Sequence, residues 1–224
     1  MTFRGAINSV LRRLREDTIS SDWSGDLVDA TGITDYQKLI GDFVNEVKRE
    51  VEDAWDWTSL RRTQAITTVS GTKTYTITST TQRTRLLSVL EQSEGYFLKS
   101  VGNNWIKSTQ YPASSETSSK PYYYSLSSTS NGVLVVQLYP KPDSVYSIDF
   151  NLVDPQDDLS LATDTLSVPT EPVILGAWAR AISERGEDGG SQSGDVYGMY
   201  TKSLSDHIAI NASNYSDELT WASN

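Results

Sequence analysis

From Tyr36 to Trp55 the apolar residues Tyr36, Leu39, Ile40, Phe43, Val44, Val47, Val51, Ala54 and Trp55 recur at steps of three and four. That is the period of an α-helix with one apolar side. An isolated helix is marginal in water, and most of its stability comes from burying such a side. The chain must therefore supply further helices to cover this one. Thr34-Asp35-Tyr36-Gln37 marks the start, with the spacing of a capping box. Opposite the stripe Glu46, Lys48, Arg49, Glu50, Glu52 and Asp53 alternate in sign, which reads as an outward face. Trp55 is read as continuing the stripe and closing the helical core. Trp57, two residues on, is read as the joint between the helices and whatever follows.

Three further stripes meet the need. Phe3, Ala6, Ile7, Val10, Leu11 and Leu14 form one, with Thr2 placed to cap it and Arg4, Arg12, Arg13 and Arg15 on its other side. Val173, Ile174, Ala177, Trp178, Ala181 and Ile182 form another. Here Thr170 is the expected cap, Pro172 sits in the first turn where its missing N–H costs nothing, and Gly186 ends the helix. Val196, Tyr200, Leu204 and Ile208 form the fourth.

Between the second and third stripes the period changes to two. In "TKTYTIT" Tyr75 and Ile77 oppose the threonines, and "VYSIDFNL" turns Tyr146, Ile148, Phe150 and Leu152 one way. "RLLSVLE" and "YFLKSV" read as strands. "YYYSLSS" and "GVLVVQLY" flank Asn131-Gly132, a hairpin signal. Segment 108–121 reads as an exposed loop. The expected fold is α+β. Residues 1–60 and 170–212 are two parts of a four-helix bundle, and 61–153 an antiparallel β-sheet or sandwich inserted between them. Residues 154–169 form an acidic connector and 213–224 an extended C-terminal tail.

The formal net charge is −10. Residues 1–62 carry nine Lys/Arg against twelve Asp/Glu, residues 63–153 seven against five, and residues 154–224 three against twelve. Nucleic-acid affinity needs clustered Lys/Arg, so Arg61 and Arg62, at the start of the first strand, are not read as a DNA contact. The chain has no cysteine, which removes disulfide and thiolate chemistry. Arginines interrupt the N-terminal apolar run, unlike a signal peptide, and no run approaches the ~18 apolar residues of a membrane span. A protein made and folded in a cytoplasm, without membrane contact, is expected.

Catalytic chemistry finds little support. Asp22, Asp26 and Asp29 lack the spacing of a calcium loop and its closing Glu. His207 is the single histidine, with no serine in a nucleophile elbow to partner it. Zinc needs three or four N/S ligands. "GEDGGSQSG" lacks the lysine of a phosphate cradle, follows no strand, and carries Glu187 and Asp188. Carboxylates are plentiful, but their clusters fall on helix faces and the connector. No enzyme, cofactor or metal is expected.

"DYQKLIGDFVNEVKREVEDAWDW" (35–57), "FNLVDPQDDLS" (150–160) and "ERGEDGG" (184–190) together resemble the head-to-tail adaptors of short-tailed bacteriophages, also called tail tubular protein A. The order of the segments carries the resemblance along nearly the whole chain. It implies a structural virion protein of the head–tail junction. Such adaptors form a ring, typically of about twelve copies, between the portal protein and the tail nozzle protein, and DNA passes through without sequence-specific binding. It also implies a C-terminal tail that grips the portal, with Tyr215, Leu219 and Trp221 as its anchors. Lys48, Arg49, Arg12 and Arg13 are the candidate contacts between copies. The alternative is a carbohydrate- or receptor-binding module of a virion, with Tyr122 and Tyr124 sharing one face of a strand in the β insertion.

Overall fold

Two helices open the chain, α1 (Phe3–Arg13) and α2 (Asp35–Ala54). Both start where their caps predict. Thr2 Oγ1 accepts from the Gly5 N–H at 3.2 Å. At α2 the Gln37 N–H donates to Thr34 Oγ1 at 3.2 Å, and the Thr34 N–H to Gln37 Oε1 at 3.0 Å, the reciprocal capping box. The computed structural model describes residues 1–110, 117–129, 131–186 and 191–214. They divide into two units, Met1–Ser59 with Gln156–Asn224, and Leu60–Pro155.

The first unit also holds α4 (Thr170–Arg185) and α5 (Ser191–Ser213). Helices α1, α2 and α4 pack on one another, and α5 lies along α4. Phe3, Ile7, Val10, Ile40, Val44, Val47, Val51, Val173 and Ala177 are buried. Helices α2 and α4 approach closely because Gly176 has no side chain, since a Cβ there would sit 2.5 Å from Val47 Cγ1. The fourth stripe is engaged less than expected: Val196 and Tyr200 are buried, but Leu204 and Ile208 only half-buried.

One local expectation changes. Pro169 holds the cap position of α4 without a side-chain bond, and Thr170 is the first helical residue. Gly186 does end that helix, at φ +64°, with its N–H bonded to the Ile182 carbonyl. The polar stretch 17–32 is mostly irregular, and it is packed. Ile19, Trp23, Leu27 and Ala30 are buried beneath it, Trp23 stands edge-on to Phe3 at 5.9 Å, and its indole donates to the Ser160 carbonyl at 3.0 Å. The acidic connector is likewise packed, with Leu159, Ala162, Leu166 and Val168 buried.

The second unit is a sandwich of two four-stranded sheets. In one, β1 (Arg61–Thr67) pairs with β8 (Ser147–Val153), β8 with β3 (Arg85–Glu91), and β3 with β4 (Tyr96–Phe97). In the other, β2 (Thr74–Thr76) pairs with β7 (Leu134–Tyr139), β7 with β6 (Tyr123–Ser128), and β6 with β5 (Lys99–Ser100). Ile148, Phe150 and Leu152 alternate into the shared core with Ile77, Val89 and Val136, as period two demands. Two findings depart from expectation. "YFLKSV" is two short strands, one in each sheet, with buried Leu98 between them, and β5 runs parallel to β6. Residues 103–110 form α3 (Asn103–Gln110), which takes 108–110 out of the segment 108–121 expected as a loop and presses Ile106 into the unit.

The turn after β3 is organised by a buried carboxylate. Glu91 accepts from the Ser93 N–H at 3.1 Å and the Glu94 N–H at 2.8 Å, with Lys120 Nζ 3.5 Å away. Burial alone would raise its pKa, but those N–H groups and the lysine outweigh burial and hold it below the usual carboxylate range. A depressed folded pKa contributes stability that is complete above the unfolded value and lost as pH falls through the folded one. Glu91→Gln is therefore expected to lower stability at pH 7 by about 1–3 kcal/mol. The gap to wild type should close as pH drops below about 4. Urea midpoints measured from pH 7 to 3 check this, and a gap independent of pH would contradict it.

Candidate functional site

The residues singled out for assembly fall into three groups. Tyr215, Leu219 and Trp221, with Glu187 and Asp188 of the glycine-rich segment, lie outside the described residues.

The second group is the tryptophan pair, of which Trp55, expected to close the helical core, is the more exposed. Helix α2 ends at Ala54, and Trp55 is its C-cap with extended backbone, φ −155°. Its ring leaves the stripe and is only half-buried, the indole donating to Asn211 Oδ1 at 3.2 Å. Trp57 is 1% exposed. Its indole turns back to the helix and donates to the Val51 carbonyl at 2.6 Å, one of the acceptors the last turn leaves open.

The third group is the cations. Lys48 was expected on the outward face of α2 as a contact between copies, and that is corrected. Its side chain is fully buried, and Nζ donates to Glu52 Oε1 at 3.1 Å and to the Gln156 and Asp157 carbonyls at 2.7 and 2.9 Å. Position 48 stands four residues after Val44 and three before Val51, so it borders the apolar stripe. Its three N–H donors have three acceptors, which pins the 156–157 segment to the helix. Arg49 remains on the surface, paired with Asp158 at 2.7 Å. Arg12 and Arg13 are exposed in the last turn of α1. Arg12 donates to Ser9 Oγ at 3.1 Å, and the Arg13 guanidinium lies 5.7 Å from the centroid of the Trp178 ring.

The helices carry a further ion-pair layer that the sequence reading did not name. Arg180 of α4 clasps Glu46 and Glu50 of α2. Arg185 joins Glu16, donates to the Tyr36 hydroxyl at 2.8 Å and stacks over that ring. Asp42 is exposed, yet partial desolvation and then the neighbouring Glu46 push its pKa up, with Asp158 adding to this against Arg49. The Tyr200 phenol is pushed up to about 12 by burial and then by Glu50.

The single histidine and the tyrosines of the β insertion take the following places. His207 Nδ1 lies 2.8 Å from the Ser203 carbonyl one turn back, a bond internal to α5. Among the described residues no group of three or more His, Asp or Glu is placed to hold a metal ion, and no helix is long and apolar enough to cross a membrane. Tyr124 is buried in the sandwich core while Tyr122 is 48% exposed, so the two rings make no common platform. Tyr122 packs instead on Tyr96 at 5.3 Å, and a separate cluster joins Trp105, Tyr123 and Tyr139, with Trp105 5.0 Å from Tyr123 and edge-on to Tyr139.

No curated protein matches the chain. The family model described as SU10 adaptor protein matches residues 1–221, and the chain therefore belongs to the SU10 adaptor protein family, structural adaptors of phage particles.

Proposed function

We propose that the protein forms a ring between the portal and the tail nozzle of a short-tailed phage, sealing the junction and lining the conduit through which DNA leaves. The observation that carries this reading is the family match over residues 1–221, which takes in both units and the segment bearing Tyr215, Leu219 and Trp221. Charge supports it. Residues 1–59 with 156–224 carry ten Lys/Arg against twenty-three Asp/Glu, while residues 60–155 carry nine against six. A wall of the first kind repels DNA, so the duplex slides past it and does not adhere.

The C-terminal segment docks on the portal in this reading. Its anchors are sparse, and repetition around the ring turns weak contacts into avidity. Trp221→Ala should therefore weaken co-sedimentation with the portal of the same phage while leaving the thermal midpoint unchanged. Undiminished co-sedimentation would remove the tail from the docking role.

A further inference from the structure

The first unit carries two surface features that fit each other and that contacts among the described residues do not explain. The first is a pocket of about 340 Å³ lined by Arg13, Leu14, Arg15, Trp178, Ile182 and Gln192, with Arg185 at its edge. Within a mostly polar lining, Leu14 and Trp178 supply an apolar floor packed on the cluster of Ala179, Ile182 and Val196, with the Arg13 guanidinium over the Trp178 ring. Its rim is cationic. Arg185 is held by Glu16 and Tyr36, but among the described residues no carboxylate lies within ion-pair distance of Arg13 or Arg15. Arg15 is moreover held at φ +59°, a conformation uncommon for a side chain of its size.

The second feature is a knob. Val28 is 71% exposed, the most exposed large hydrophobic side chain among those described. It rides on the 3-10 turn Leu27–Asp29, between Asp26 and Asp29. Among the described residues neither aspartate has a cation within ion-pair distance. The turn itself is well held. Leu27 is buried, its N–H donates to the Ser160 carbonyl at 3.1 Å, and Lys38 Nζ donates to the Val28 carbonyl at 2.6 Å. An apolar tip between two carboxylates, on a fixed turn, matches an apolar floor between two guanidinium groups.

Knob and socket stand apart on one copy. Leu27 lies beside Gly41 and Phe3, near the start of α1, and the socket is at the end of α1, a distance of about 15 Å along the helix. A copy therefore cannot fill its own socket. A ring needs a head-to-tail contact made by two different patches of one chain, and this pair has that property. We infer that Val28, flanked by Asp26 and Asp29, inserts into the Arg13–Arg15–Trp178 socket of a second copy. This contact rests on the ring reading and supplies its interface.

The absence of native cysteine makes the test clean. Full-length Val28→Cys and Gln192→Cys proteins are mixed on the portal of the same phage and treated with a short bis-maleimide. The mixture should give covalent dimers and nothing larger, and the chain carrying both changes should give a ladder. Arg13→Glu with Arg15→Glu should cut the yield about tenfold, and Asp26→Lys with Asp29→Lys in the same chain should restore it. If wild type assembles a full ring by mass yet the mixture does not cross-link, the ring stands and this interface is wrong. Cross-linking of Val28→Cys alone at equal yield would mean a self-facing contact and overturn the head-to-tail pairing. Wild type forming no ring on the portal would overturn both readings.

Discussion

Lys48→Ala is expected to lower the unfolding free energy by about 3–5 kcal/mol, the largest loss from any single charged residue in the helical unit. The side chain is fully buried beside an equally buried Glu52 carboxylate, and its ammonium also serves two backbone carbonyls. Removing the cation leaves a carboxylate in a medium where its charge is poorly solvated and takes the donor from Gln156 and Asp157. Exchanging both residues together, Lys48→Met with Glu52→Met, should recover most of the loss, because two apolar side chains of similar volume replace a buried pair at little net cost. Chemical denaturation of the three proteins separates the cases. A loss below about 1 kcal/mol for the single change would mean the pair behaves as a surface ion pair.

The tryptophans give the second large effect. Trp57→Ala should cost about 3–5 kcal/mol, since it empties a fully occupied site and strips a donor from the Val51 carbonyl. Trp55→Ala should cost about 1–2 kcal/mol, a half-exposed ring and one hydrogen bond. The order matters more than either value. Equal losses, or a greater one at Trp55, would contradict the burial described here. The comparison is made on urea midpoints at one pH with the slopes checked, so that a change in the denatured state is not mistaken for a change in packing.

The pair also illustrates where a period-based reading stops. A 3.6-residue stripe assigns faces only while the backbone stays helical. Trp55 fits the stripe by arithmetic, but α2 has ended and the extended residue 55 directs its ring elsewhere. The stripes of α1, α2 and α4, the capping box at Thr34 and the alternation of β8 were all legible, because each is a local pattern with a single structural solution. Helix α3 was not, since Asn, Ser and Thr are poor helix formers and, among its described side chains, Ile106 alone is buried. Lys48 was misplaced because a charge is read as solvated by default. The signal against that lay in its spacing from Val44 and Val51, and the carbonyls that hold it come from more than a hundred residues away. The socket at the end of α1 had no sequence signature at all, as its residues come from α1 and the turn after it, α4 and α5.

The helical unit holds its shape by ties that cross long sequence separations: Arg180 to Glu46 and Glu50, Arg185 to Glu16, Trp23 to Ser160. Such ties fix the surface positions of the knob and the socket on each copy. Fixed positions let a repeated contact close with one curvature, which is what a ring requires.

The most direct test is the mass of the complex formed when the purified protein is mixed with the portal encoded in the same genome. A portal complex carrying one copy of this protein for each portal subunit is expected, whatever the state of the free protein. No complex at any salt concentration, or a stoichiometry unrelated to the portal, would contradict that expectation.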